Sequence, residues 1–302
     1  MSLYLTEEQV DRLLVPRELT DALEASFRGW ARGEAAGRPR LRVQHGRHVL
    51  HNLPAISSLD GKAATKTYLS GPAGVNFVTV LFDLETCRIE AVVESNRLGQ
   101  LRTGCATALA CRYLAPPGPK TLAILGSGTV ARGQLEALGS ELELAQVRVW
   151  SRKPEHAREF SSWARSRLAM EVRPCDSAAQ ACADANLVVT ATTAREPFLD
   201  LSMLAAEVHV NAVGANWHDR REVSSDVVLG SDLVVIDDPE QGRREAGDLL
   251  LAEELDWSRV LSLADLVLSP PSVRPRRTLF KSLGVALEDL AAAALVVRRF
   301  RV

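Results

Sequence analysis

The stretch Gly126-Ser127-Gly128-Thr129-Val130-Ala131 points to chemistry more directly than any other pattern in the chain. It fits G-x-G-x-x-G/A. There the first glycine permits a tight turn, the second lets a pyrophosphate approach the backbone, and a small last residue keeps a helix close to its strand. The setting agrees, because the apolar run Thr121–Leu125 predicts a strand before it and a helical pattern follows. A helix starting there offers unpaired N–H groups and the positive end of its dipole to phosphates. The competing reading is a glycine pair that only turns a sheet. An NAD site usually carries an acid about 20 residues further on, for the ribose 2′-hydroxyl. Here that stretch reads Trp150-Ser151-Arg152-Lys153. A hydroxyl and two cations suit a 2′-phosphate, so NADP(H) is predicted as cofactor, with NAD(H) second. The alternative is that Arg152 and Lys153 are solvated loop charges.

Two other sets of chemically capable residues lead elsewhere. His45, His48 and His51 recur at every third position, but the segment around them reads as strand. Residues three apart on a strand point to opposite faces, so no metal site is expected. The five cysteines, Cys87, Cys105, Cys111, Cys175 and Cys182, are odd in number and contain no C-x-x-C pair. That argues against a disulfide framework or a zinc site and for a reducing, cytoplasmic setting.

The elements that must position the glycine loop form two textures. Thr6 with Gln9 makes a capping-box pattern, and Leu19, Leu23, Phe27 and Trp30 repeat at helical spacing. From Leu41 to Val93, short β-prone runs separated by turn residues predict an antiparallel sheet. A helix is predicted from about Asn96 to Leu114, ended by Ala115-Pro116-Pro117-Gly118-Pro119, where the domain boundary is placed. Beyond it, apolar strands alternate with helices, the signature of a parallel sheet covered on both faces. The final segment, from Thr278 to Phe300, reads as one long helix with a less regular start at Lys281–Gly284.

Composition sets the outer limits. The chain has 302 residues, 36 Lys+Arg and 38 Asp+Glu, for a formal net charge of −2. A globally basic nucleic-acid binder is excluded, though a local basic patch is not. Hydrophobic residues make up 46% and charged residues 25%, which is ordinary for a globular protein, while the 5% aromatic content predicts an aliphatic core. The longest apolar runs, such as Leu290–Val297, fall far short of the roughly 18–20 residues of a membrane span. The acidic residues near the N-terminus argue against a signal peptide.

Several motifs occur in an order that resembles the ornithine cyclodeaminase/μ-crystallin family over nearly the full length. They are Arg38-Pro39-Arg40, Leu53-Pro54-Ala55, Lys66, Leu101-Arg102-Thr103 and the glycine loop, then Val189-Thr190-Ala191-Thr192 and Val210-Asn211-Ala212-Val213-Gly214. Arg221-Glu222, Gly247-Asp248, Phe280-Lys281-Ser282-Leu283-Gly284 and Glu288-Asp289 complete the set. The resemblance implies a Rossmann-type doubly wound parallel sheet (116–277) inserted into an α+β substrate-binding and dimerisation domain (1–115 with 278–302). It also implies a homodimer paired through the N-terminal sheets and an active site in the interdomain cleft.

By position, the resemblance makes Arg40, Lys66 and Arg102 the grip on a substrate carboxylate, with Lys66 the proton source for a substrate nitrogen. Thr103, Thr190, Ala191, Thr192, Val213, Gly214 and Ser282 become further cofactor contacts. Taken alone, these cations read differently: Arg40 as an edge-strand charge, Lys66 as a side chain snorkelling from a sheet, Arg102 as the exposed face of a helix.

The sequence also departs from the cyclodeaminase pattern. Asn216 aligns with an Asp that acts on the substrate amino group there, and an amide can neither take up a proton nor offset an ammonium charge. Together with the Ser151–Lys153 loop, this favours the ketimine reductase and amino-acid dehydrogenase branch: an NADP-preferring oxidoreductase of a C–N bond, acting on an imino or amino acid. A cyclodeaminase-type ammonia lyase and a non-enzymatic, NADPH-dependent ligand binder are the alternatives. Leu53 stands where Met is usual, and Cys87 where a turn glycine is common.

Overall fold

The computed structural model describes residues 2–302, and the chain divides into two compact units, Met1–Ala106 with Gly284–Val302, and Thr107–Leu283. The first unit contains β1 (Leu3–Leu5), α1 (Glu7–Leu13), α2 (Pro16–Ala31), β2 (Ala35–Gly37) and β3 (Leu41–His45). These are followed by β4 (His48–Ser57), β5 (Lys62–Gly71), β6 (Gly74–Asp83), β7 (Ile89–Glu94) and the start of α3 (Asn96–Leu114). The predicted capping box is present: Gln9 N–H donates to Thr6 Oγ1, and Thr6 N–H donates to Gln9 Oε1 at 2.9 Å.

The sheet of this unit runs β1-β7-β6-β5-β4-β2, with β3 also paired to β4. All pairs are antiparallel except β1 with β7. Strand alternation gives the sheet two faces. One carries His51, Leu53 and Ala55 of β4 opposite Tyr68, Lys66 and Ala64 of β5. The other carries Leu50 opposite Leu69, continued by Leu41 and Val43 of β3.

The second unit holds β8 (Lys120–Leu125), α4 (Thr129–Glu141), β9 (Leu144–Trp150), α5 (Pro154–Leu168), β10 (Arg173–Pro174) and α6 (Ala178–Cys182). It continues with β11 (Leu187–Thr190), β12 (Val208–Ala212), α7 (Ser225–Leu229), β13 (Leu233–Ile236), α8 (Pro239–Glu245) and α9 (Gly247–Leu250). It closes with β14 (Val260–Ser262), α10 (Leu263–Leu268) and β15 (Arg277–Lys281). Its eight strands are all parallel, in the order β10-β9-β8-β11-β12-β15-β13-β14. This is the α/β, doubly wound architecture predicted. The core is aliphatic, with Leu125, Val188, Val210, Ile236 and Leu279 among its buried residues.

Two expectations need correction. The segment from Thr278 to Lys281 is not the start of a helix but strand β15, inserted between β12 and β13. Four consecutive residues, Thr278–Lys281, are buried there, and so short a buried run carries no period that separates helix from strand. The helix, α11 (Ala286–Phe300), begins only after Gly284, whose φ of +75° turns the chain. The run Met170–Cys175 also reads as a strand, yet only Arg173–Pro174 forms one, at an edge position where a proline without an N–H is tolerated.

α11 returns to the first unit and packs on β4, β5, β6 and α2. It is apolar almost all round, as a helix buried in a core must be, and Ala291, Ala292 and Ala293 bring it close to the sheet.

Candidate active site

In the second unit, β8 runs into the glycine loop as the motif requires. Gly126 has φ +121°, and a Cβ there would collide with the carbonyl of Ala191, so glycine is obligatory. Gly128 is the N-cap of the 13-residue helix α4, with no side chain capping it. A Cβ on Gly128 would meet nothing within 4 Å: the space above the helix terminus is open. Ala131 is fully buried and seats the helix.

The open space belongs to a cavity of about 470 Å³ whose wall includes Gly126, Ser127, Gly128, Ser151, Arg152 and Lys153. Ser127 Oγ donates to Ser151 Oγ at 3.1 Å, tying the glycine loop to the end of β9. Ala191 and Thr192 close the opposite side. Thr129 and Val130 occupy the exposed first turn of α4 and do not line the cavity. Sequence reasoning missed His156, Glu196 and Phe198, which do line it; Phe198 packs on Trp150 with centroids 5.5 Å apart. Isolated side chains, His156 in the first turn of α5 and Glu196 and Phe198 in a loop, gave no signal for these.

The strand ends facing this loop are held by one buried carboxylate. Glu222 accepts from Thr190 Oγ1 (2.8 Å), the Thr192 N–H (2.6 Å), Thr192 Oγ1 (2.7 Å) and the Gly214 N–H (2.7 Å). Asp248 in turn accepts from the N–H groups of Glu222 and Val223, and pairs with the fully buried Lys281 at 2.8 Å. Burial and the neighbouring Asp248 push the Glu222 carboxyl above its ordinary range, against Lys281 and the threonine hydrogen bonds. Thr190, Ala191, Thr192, Val213 and Gly214 thus sit together at the ends of β11 and β12. Ser282 follows β15; its N–H donates to the Ala212 carbonyl at 3.1 Å, and its buried Oγ has no protein partner. Asn216 is half-buried in the loop after Gly214. Glu222, Asp248 and Lys281 stood in the motifs but carried no assigned role.

In the first unit the three predicted cations converge. Arg40, Lys66 and Arg102 are only 8%, 3% and 5% exposed, so none of the surface readings applies. Asp289 Oδ1 accepts from Lys66 Nζ and from Arg102 Nε, each at 3.0 Å. Glu288 Oε2 accepts from Arg102 Nη1 at 2.5 Å, and Arg40 Nη2 donates to the Gly284 carbonyl at 3.1 Å. The two acids lie in the first turn of α11, so the start of that helix at Ala286 sets the geometry of the cluster.

Small residues make the room: a Cβ on Gly284 would strike the Arg102 guanidinium, and one on Gly99 would sit 3.2 Å from Lys66 Nζ. Burial, and then Arg102, lower the Lys66 ammonium to about 8, with Asp289 opposing. Three cations buried in one cluster suit a bound anion. The Oδ2 atom of Asp289 is also buried without a protein donor. Thr103 lies one residue further along α3, in this unit; its hydroxyl donates to the Gly99 carbonyl at 2.7 Å.

The model of the ornithine cyclodeaminase/mu-crystallin family matches residues 2–301. The chain belongs to that family. It is 32% identical to the mouse ketimine reductase mu-crystallin over 97% of this chain and 96% of the relative. Among solved structures it is similar to the Thermococcus litoralis Δ1-pyrroline-2-carboxylate reductase in complex with NADH and L-proline. The TM-score is 0.93 and the identity 26%, over 98% of this chain and 97% of that one. An archaeal alanine dehydrogenase dimer with bound NAD superposes with a TM-score of 0.90 at 26% identity, covering 99% and 95%. Among the described residues, no helix is long and apolar enough to cross a membrane.

Proposed function

We propose that the chain is an NADPH-preferring reductase of carboxylate-bearing imines, running in reverse as an amino-acid dehydrogenase. The observation that carries this reading is the burial of three cations, Arg40, Lys66 and Arg102, in one cluster. Such a cluster suits a small carboxylate, which Arg can grip bidentately and Lys as a point charge. The family relatives act on imino and amino acids of this kind.

The second unit fits a pyridine dinucleotide. Gly126, Ser127 and Gly128 cradle the pyrophosphate at the α4 terminus beside Thr129 and Val130, and Thr190–Thr192, Val213, Gly214 and Ser282 take the nicotinamide half. Ser151, Arg152 and Lys153 hold a 2′-phosphate. When bound, the nucleotide supplies a hydride. Arg40, Lys66 and Arg102 fix the carboxylate, and with it the imine carbon that accepts the hydride. The imine nitrogen takes a proton from Lys66, whose ammonium, lowered to about 8, is protonated at neutral pH yet releases a proton readily. Asn216 contacts the substrate without acting as a base.

We also assign a homodimer. Leu41, Val43, Leu50 and Leu69 are 55%, 68%, 44% and 52% exposed on one face of the first unit's sheet, an apolar patch that suits a second copy. The alanine dehydrogenase relative is a dimer. The free thiols of all five cysteines support a reducing, cytoplasmic location.

The deciding experiment follows NADPH oxidation with pyrroline-2-carboxylate, piperideine-2-carboxylate and 2-oxo acids plus amines. Reduction that Lys66→Ala and Arg102→Ala each abolish is expected. Unchanged reduction in both variants overturns the site. Ammonia release from ornithine without added nucleotide would favour a lyase instead.

A further inference from the structure

Three neighbouring parallel strands of the second unit end in register at one level of the sheet. Thr190 of β11 pairs with Ala212 of β12, and Ala212 with Lys281 of β15. Leu125, the last residue of β8, pairs with Thr190, and the glycine loop follows it. Ligands of open α/β sheets bind outside such carboxyl ends. Lys281 lies three strand spacings from β8, roughly 14 Å at about 4.8 Å per step.

Lys281 is fully buried. Its Nζ donates to the carbonyls of Ala212 and Ala215, at 3.2 and 2.5 Å, and forms an ion pair with Asp248 Oδ2 at 2.8 Å. Three oxygens thus meet the three protons of one ammonium. Asp248 Oδ1 accepts from the N–H groups of Glu222 and Val223, at 2.6 and 3.1 Å. Gly247 permits this approach, because a Cβ there would strike the carbonyls of Arg220 and Trp217. Glu222 then carries the contacts on to Thr190, Thr192 and Gly214. Three buried charged side chains therefore connect the ends of β15, β12 and β11. The loop after β12 is caught at two points: Gly214 by its N–H on Glu222, and Ala215 by its carbonyl on Lys281. Asn216 follows directly.

We infer that Lys281 is a positioning residue: with Asp248 and Glu222 it presets the backbone of Val213–Asn216 to receive the nicotinamide half of a dinucleotide. The inference rests on the reading of these strand ends as the nicotinamide site. A buried ion pair adds little stability over apolar residues of like volume, so its place at a ligand-binding sheet end points to geometry. A loop fixed before binding loses no freedom when the ligand arrives, which raises affinity without a new contact. With its three protons engaged by protein oxygens, Lys281 acts through the loop and not as an acid.

The test is calorimetric titration of the full chain with two dinucleotides and their adenosine halves, NADPH against 2′,5′-ADP and NADH against ADP. In the wild type, the preferred dinucleotide is expected to bind at least about tenfold tighter than its half. Lys281→Met and Asp248→Asn should each remove about tenfold of that dinucleotide's affinity and leave its half within about twofold. A general loss of stability would not produce this split. Equal loss of dinucleotide and half, or full dinucleotide affinity in both variants, overturns the inference and leaves the nicotinamide reading standing. Dinucleotides that bind the wild type no tighter than their halves would sink that reading and the inference with it. If neither variant folds, by circular dichroism, hydrogen exchange of the wild type decides. The amides of Val213 and Gly214 should be protected before any nucleotide is added; protection that arises only with nucleotide overturns the preset loop.

Discussion

Lys66 and Asp289 face each other across 3.0 Å, with side chains 4% and 1% exposed, although 223 residues separate them in the chain. A buried ion pair of this kind fixes a geometry rather than adding stability, and removing one partner leaves a buried charge uncompensated. Asp289 is therefore a positioning residue for two cations at once, since Arg102 Nε shares its Oδ1.

The first prediction concerns proton supply. With Lys66 as the acid, kcat/KM should stay level below pH 8 and fall as the pH rises through about 8. Asp289→Asn removes the charge that raises the Lys66 pKa, so the falling limb moves to lower pH. The variant should also lose about 3–5 kcal/mol of stability, measurable by urea unfolding. A limb that stays in place excludes Lys66 as the proton donor.

The two glycines of the loop should fail in different ways. Gly126→Ala forces a side chain onto the Ala191 carbonyl at a φ of +121°, and should destabilise the fold by more than about 2 kcal/mol. Gly128→Ala meets no protein atom, so its melting temperature should hold while dinucleotide affinity collapses. Paired melting and binding measurements separate the two.

Arg152→Ala with Lys153→Ala should weaken NADPH at least tenfold and leave NADH nearly unchanged, as charge-assisted bonds to a phosphate are each worth about 1.5–3 kcal/mol. Fluorescence titration of both nucleotides reads this directly. Parallel loss of both nucleotides would assign the two cations to another part of the site.

Glu222→Gln replaces an acceptor of four hydrogen bonds with a group that can accept at one oxygen only. Each buried donor left unpaired costs about 1–3 kcal/mol. Nucleotide affinity and thermal stability should fall together; affinity unchanged to within a factor of two would show that the strand ends hold their shape without the clamp.

Cys87 has φ +55° and is exposed, a left-handed position that costs a non-glycine residue about 1 kcal/mol. Cys87→Gly should stabilise the first unit slightly, by about 0.5 kcal/mol after the entropic cost of glycine. Denaturant midpoints check the sign.

The glycine loop, the β-α alternation and the antiparallel sheet were legible because each has a local signal: a turn residue, a period, a break. The cations Arg40, Lys66 and Arg102 became legible only through an ordered set of motifs, since nothing local distinguishes a buried arginine from a solvated one. Glu222 stood in the same set without a role, because its four donors come from β11 and β12, whose ends no local pattern brings to it. β15 was misread for a related reason: its hydrogen bonds go to β12 and β13, more than 40 residues away in sequence, and a four-residue buried run announces neither partner.

Helix α11 gives the first unit an order of assembly. Its sheet and early helices leave the ribosome first, yet the carboxylates that neutralise Lys66 and Arg102 arrive only with Glu288 and Asp289. Until then, Lys66 and Arg102 lack these two partners and one sheet face lacks its cover. The contiguous second unit carries no such debt. Contacts of such sequence separation close slowly. The nascent chain thus holds an unfinished first unit through most of its synthesis, and the ion-pair cluster of Lys66, Arg102, Glu288 and Asp289 is among the last features of the molecule to exist.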